Sequence, residues 1–223
     1  MISNESLQFL EDLSKNNNRD WFLANKKRYD QYKKNYHQLI ADFLEAMVPI
    51  DPSLKHLEVK DCTFRINRDI RFSKDKSPYK DHLGIWMSTG QKNTNLSGYY
   101  IHIAKGKSFI AGGVYGPEAP DLKKIRKEIA FFHDDLAKIV NDKKFKSEFG
   151  DLDRNAENSL KTAPKDFDKD HPAIEFLKLK SFTASQKIDD KLLTDKDFVK
   201  KISEKLSALK PLNAFLNRAL GAE

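Results

Sequence analysis

This sequence predicts an α+β fold, a central antiparallel β-meander flanked by N-terminal and C-terminal helices. Three observations predict it. Apolar residues recur at the helical period toward both ends of the chain; they alternate with polar residues at a period of two in the middle third; and the strand-like segments sit together instead of alternating with helices. No internal repeat or low-complexity linker divides these blocks, so residues 1–223 are expected to form a single domain. A chain of that length buries roughly 70% of its unfolded surface.

The elements follow in order. Ser3 or Asn4 can cap a first helix carrying Leu7, Leu10 and Leu13, and the Asn16, Asn17, Asn18 run stops it. From Trp21 onward, Tyr29, Tyr32, Tyr36, Leu39, Ile40, Phe43 and Met47 mark one face of a long helix that Pro49 and Pro52 end. Phe64, Ile66, Ile70 and Phe72 then alternate with polar residues over 63–71, a strand pattern interrupted only by Arg68 on the apolar side. After Ser77 and Pro78, Leu83, Ile85 and Met87 form the next strand, residues 89–98 a polar turn, and Tyr99, Ile101 and Ile103 another strand. The short link Lys105, Gly106, Lys107 closes a hairpin onto residues 108–111.

Helical spacing returns over 118–141, and a polar stretch with little regular pattern follows. Asp170, His171 and Pro172 read as a helix start ahead of a short helix with Ile174, Phe176, Leu177 and Leu179. Residues 181–185 read as an extra strand, and residues 198–220 as a terminal helix that Pro211 kinks or breaks.

Composition bounds the function. The hydrophobic share is 39% and the charged share 33%, with enough Phe and Tyr to exclude a wholly disordered chain. The first residues lack a basic region followed by an apolar core, and no apolar run approaches membrane-spanning length; the expectation is a cytoplasmic protein with no membrane partner. A single cysteine, Cys62, excludes an intramolecular disulfide and a multi-cysteine metal cage, and it reads as a small buried hydrophobe.

The formal net charge of +7 favours an anionic partner, and its distribution is uneven. Most lysines alternate with Asp and Glu, whereas residues 65–80 hold six cations against two carboxylates. If the strands pair as a meander, His82 and Trp86 share a face with Tyr100 and His102, and the strand over 63–71 adds Arg65, Asn67 and Arg71 to it. Forked guanidiniums on such a face suit phosphate or carboxylate.

The plainer reading is that these arginines pair with Asp69 and Asp75. The six histidines show no metal-ligand spacing, and only a hairpin that brings His82 to His102 would make a pair. Gly112 to Gly116 lack the ending of a phosphate-binding loop, and no nucleophile elbow is present. No metal or cofactor is expected.

Arg65, Arg68, Asp69, Arg71, Phe72, Asp75, Lys76 and Tyr79 resemble the signature of the DUF2461 family, a domain of unknown function found in bacteria and in some fungal chains. Asn17 to Phe22, Gly98 to Ile103, Gly112 to Tyr115, and Pro164 to Phe167 with Asp170, His171 and Pro172 resemble it too, although Asp166 stands where the family pattern has Gly. The resemblance covers nearly the full length and implies a single-domain member, with residues 65–80 as the functional segment and no particular activity.

The leading expectation is a basic, aromatic-lined sheet face that binds an anionic small molecule or nucleic acid. Arg65, Arg68 and Arg71 contact the anion, Lys76 adds charge, Asp69 orients an arginine, and Tyr79, Trp86 and Tyr100 offer stacking surface. Should the protein be an enzyme, His102 is the candidate for proton transfer. Two other readings stay open: a nucleic-acid-binding module built on the same groups, and a structural or partner-binding protein in which the arginines form an internal ion-pair network.

Overall fold

The computed structural model describes residues 1–90 and 95–221; of the expected polar turn over 89–98, residues 91–94 lie outside the described residues. Helix α1 (Asn4–Lys15) starts where the Ser3 hydroxyl accepts from the Ser6 amide at 3.2 Å, and it buries Phe9, Leu10 and Leu13. The single helix expected from Trp21 is two, α2 (Arg19–Ala24) and α3 (Lys26–Met47). Asn25 makes the break, its side-chain amide donating to the Trp21 carbonyl at 2.9 Å, because a short polar side chain competes for backbone groups. Tyr32, Tyr36, Leu39, Ile40, Phe43 and Met47 form the buried stripe of α3. A short helix, α4 (Val59–Cys62), follows.

The strand expected over 63–71 does not form. Thr63 and Asn67 make only isolated bridges, to Ile85 and Tyr79, and the chain between them and Asp81 is irregular. The reason is local. Asp69 and Asp75 turn their carboxylates back onto the Arg71 and Ser77 amides, and Pro78 has no amide to donate to a ladder.

The regular sheet begins afterwards: β1 (Leu83–Ser88), β2 (Gly98–Ile103), β3 (Phe109–Val114) and β4 (Phe182–Lys187) lie in that order as an antiparallel sheet. Leu83, Ile85, Met87, Tyr99, Ile101 and Ile103 are buried, as the alternation predicts. The last strand reaches β3 only because Gly113, at φ +114°, has no side chain: a Cβ there would lie 2.0 Å from the Phe182 carbonyl oxygen.

The helical stretch over 118–141 is divided at Phe132 into α5 (Ala119–Phe131) and α6 (His133–Asn141). Helix α7 (Lys143–Phe149) falls in the stretch read as irregular; Asp142 caps it, and Phe145 and Phe149, one turn apart, are its buried residues, too few to register as a period. Helix α8 (Ile174–Leu177) starts two residues after Pro172 and not with Pro172 in its first turn; His171 Nδ1 accepts from the Ala173 amide at 3.0 Å ahead of it, and Leu179 lies beyond its end in a bridge to Ser159. After α9 (Asp190–Leu193), the terminal segment consists of α10 (Phe198–Leu206), a 3-10 turn (Ser207–Leu209) and α11 (Lys210–Leu220), with Pro211 in the first turn of α11.

The chain divides into two compact units, one of residues 1–87, 100–110 and 187–204, the other of residues 88–99, 111–186 and 205–223. In the first, Phe9, Tyr32, Tyr36, Phe43 and Phe198 are buried; in the second, Ile125, Ile129, Leu136, Phe145, Leu177 and Leu212 are.

Candidate functional site

The basic segment lies in the first unit as a braced loop. Its two limbs are joined where the Arg68 amide donates to the Pro78 carbonyl at 2.9 Å and the Lys80 amide to the Ile66 carbonyl at 2.8 Å. Arg68 ties the far end, pairing with Asp75 and donating to the Ser77 carbonyl at 3.1 Å. The hydroxyl and amide of Ser77, together with Arg68, hold the Asp75 carboxyl down at about 2. Arg71 grips Asp69 with two parallel bonds of 3.0 and 2.7 Å, and Lys76 Nζ donates to the Ile70 carbonyl at 3.0 Å.

Residues far away in sequence anchor the loop. The Asn17 side chain donates to the Tyr79 carbonyl at 2.9 Å and accepts from the Tyr79 amide at 3.0 Å, doing for one peptide what a neighbouring strand would. The Tyr79 ring stacks on Phe22, with centroids 4.1 Å apart. Thus the segment Asn17 to Phe22 and the segment ending in Tyr79, read separately in sequence, are one structural device.

Beside this loop the sheet presents a row of rings. Tyr100 and His102, two apart on β2, point to one face, and the Tyr100 hydroxyl lies 3.0 Å from His102 Nδ1. His102 is sandwiched between His82 and Phe109, with ring centroids at 4.4 and 4.8 Å. Phe64 meets Tyr100 edge-on at 6.2 Å, and Lys80 Nζ sits 5.0 Å from the centre of the Phe64 ring. Glycine at position 84 leaves room for this row, since a Cβ there would lie 3.0 Å from the Tyr100 hydroxyl and 3.2 Å from Phe64.

Burial and crowding set the charges. Burial first, and then the neighbouring His82, pull His102 down to about 4; burial also lowers His82 against the pull of Asp81. Both imidazoles are therefore neutral at pH 7. Burial and the Arg65 guanidinium lower Lys80. Among the described residues, neither Arg65 nor Lys80 forms an ion pair, while Arg68 and Arg71 each hold a carboxylate.

The expected site residues are thus placed in three settings. Tyr100 and His102 join the ring row, with Arg65 beside Lys80 at its edge. Arg68, Asp69, Arg71 and Lys76 are engaged within the loop, and Tyr79 is packed against Phe22. Trp86 is half-buried on the Gly84 side of β1 by strand alternation.

Sequence reasoning missed Phe64, Lys80 and Phe109 as site members. Phe109 has odd parity, and the signal that finds it is the Ala104–Ser108 connection, which sets odd positions of β3 on the face of even positions of β2. Cys62 is buried with its thiol pushed up to about 12, an inert group. Among the described residues no cluster of three or more His, Cys, Asp or Glu is placed to hold a metal, and no helix is long and apolar enough to cross a membrane.

Fold and site define an α+β protein with a cationic loop beside a row of rings on an antiparallel sheet. The chain belongs to the family described as "Conserved hypothetical protein (DUF2461)", whose model matches residues 5–215. No curated protein and no solved structure is matched by the chain.

Proposed function

We propose that this protein, acting in the cytoplasm, binds a phosphate- or carboxylate-bearing anion at Arg65 and Lys80, over the rings of Phe64 and Tyr100. One observation carries the reading: among the described residues, two neighbouring cations, Arg65 and Lys80, have no carboxylate within ion-pair distance although Lys80 is partly withdrawn from water. Their mutual repulsion costs free energy, and a bound anion offsets it. The small-anion site does not need Arg68 and Arg71, which already hold Asp75 and Asp69.

His102 is the group suited to moving a proton there. Its Nδ1 lies 3.0 Å from the Tyr100 hydroxyl, and the ring, kept neutral by burial, can take up a proton as an anion arrives.

Calorimetric titration with pyrophosphate and with citrate at low salt tests the reading. The parent should bind one of them, and Lys80→Ala and Arg65→Ala should each weaken that binding at least tenfold, the loss of one charge-assisted hydrogen bond, without lowering Tm. A parent that binds neither anion refutes the proposal.

A further inference from the structure

Phe72, at 94%, is more exposed than any other large hydrophobic side chain among the described residues. An isolated surface Phe is ordinary, but this one sits where the loop is most heavily braced. On either side of it in the chain Asp69 pairs with Arg71, Arg68 with Asp75, and Lys76 bonds the Ile70 carbonyl, to which the Ser73 amide also donates at 3.3 Å. The bracing holds the ring out in water.

The ring is also coupled to a cation, with the Arg71 guanidinium 5.7 Å from its centre. Phe64, 43% exposed near the base of the same loop, repeats the arrangement with Lys80 at 5.0 Å. Six cations against two carboxylates leave residues 65–80 with a net charge of +4.

We infer that this loop binds single-stranded nucleic acid, bases stacking on Phe72 and Phe64 while phosphates meet Lys80 and the open edge of Arg71, whose side chain stays 76% exposed while it holds Asp69. The inference rests on the anion reading above for its Arg65 and Lys80 end. A ring with a cation at its edge offers a base its π-face and the adjoining phosphate its counter-charge, and two such couples on one loop repeat the unit that a strand repeats. A duplex hides its base faces in the stack, so a single strand is the form that fits. A lipid surface fits less well, because Arg65, Arg68, Asp69 and Arg71 break the apolar surface between the two rings.

The test is fluorescence anisotropy at low salt with a labelled dT decamer, an abasic phosphodiester of equal length, and vesicles of phosphatidylcholine and phosphatidylserine, with pyrophosphate titrated in parallel. The parent should bind the decamer more tightly than the abasic strand. Phe72→Ala should weaken decamer binding roughly tenfold and leave pyrophosphate binding and Tm unchanged, and Phe72→Trp should restore it. Equal decamer affinity in the parent and Phe72→Ala overturns the inference. So does a parent that binds pyrophosphate but not the decamer, which leaves the anion reading standing, or one whose Phe72 is needed for vesicles and not for the strand. A parent that binds neither pyrophosphate nor the decamer removes this inference, and one that also fails to bind citrate removes the anion reading with it.

Discussion

At the scale of single residues, His102 shows how a titratable group takes its character from what covers it. Burial between two other rings, and then the neighbouring His82, hold it at about 4, whereas the unfolded chain accepts the proton near 6.5. Between those values the unfolded state holds more protons, and stability therefore falls as the pH drops through that window. The urea midpoint of the parent should decline from pH 6.5 toward pH 4, and His102→Asn should flatten the decline; an identical decline in the variant would remove His102 as its source. Gly84 is the matching steric case. Gly84→Ala should push the Tyr100 hydroxyl off its partner and weaken anion binding several-fold while costing roughly 1 kcal/mol, a loss readable by titration beside denaturation.

At the scale of elements, the loop over 64–80 is the instructive case. Its charge was plain in the sequence, and so was its break at Pro78; its conformation was not, because alternating Phe64, Ile66, Ile70 and Phe72 imitate a strand. What defeats the strand is side-chain chemistry acting on the backbone, with Asp69 and Asp75 bonded to amides two residues ahead and Asn17 closing the Tyr79 peptide across 62 residues of chain. Asn17→Ala should therefore cost about 1–3 kcal/mol, the desolvation of two partly buried backbone groups, and should expose residues 69–77 to limited proteolysis. Protection equal to the parent's would show that the limbs hold without it. Helix α3 works the same way: the Tyr36 hydroxyl accepts from the Phe64 amide at 3.0 Å and donates to the Gly84 carbonyl at 2.5 Å, fixing the entry to the loop and the start of β1 together.

At the scale of the whole molecule, the sheet order requires β4, from residues 182–187, to join β3, from residues 109–114. The tightest approach in that join is at Gly113. Gly113→Ala would place a methyl group 2.0 Å from the Phe182 carbonyl at a φ that side chains avoid, and the variant should lose more than about 4 kcal/mol or fail to fold, as measured by urea denaturation. The α+β architecture, the cap at Ser3, the alternation that buries Ile85 and Ile101, and the concentration of charge after Arg65 all follow from spacings of two to four residues, the range over which local periodicity and capping act. Which cations stay unpaired follows from nothing so local. Among the described residues Arg68 and Arg71 find carboxylates and Arg65 and Lys80 do not, and Phe64 and Phe109 reach the Tyr100 row only because a turn and an irregular loop bring them there. Such partners are chosen by the path of the folded chain, since an ion pair or a ring contact depends on distance in space and is indifferent to separation along the sequence.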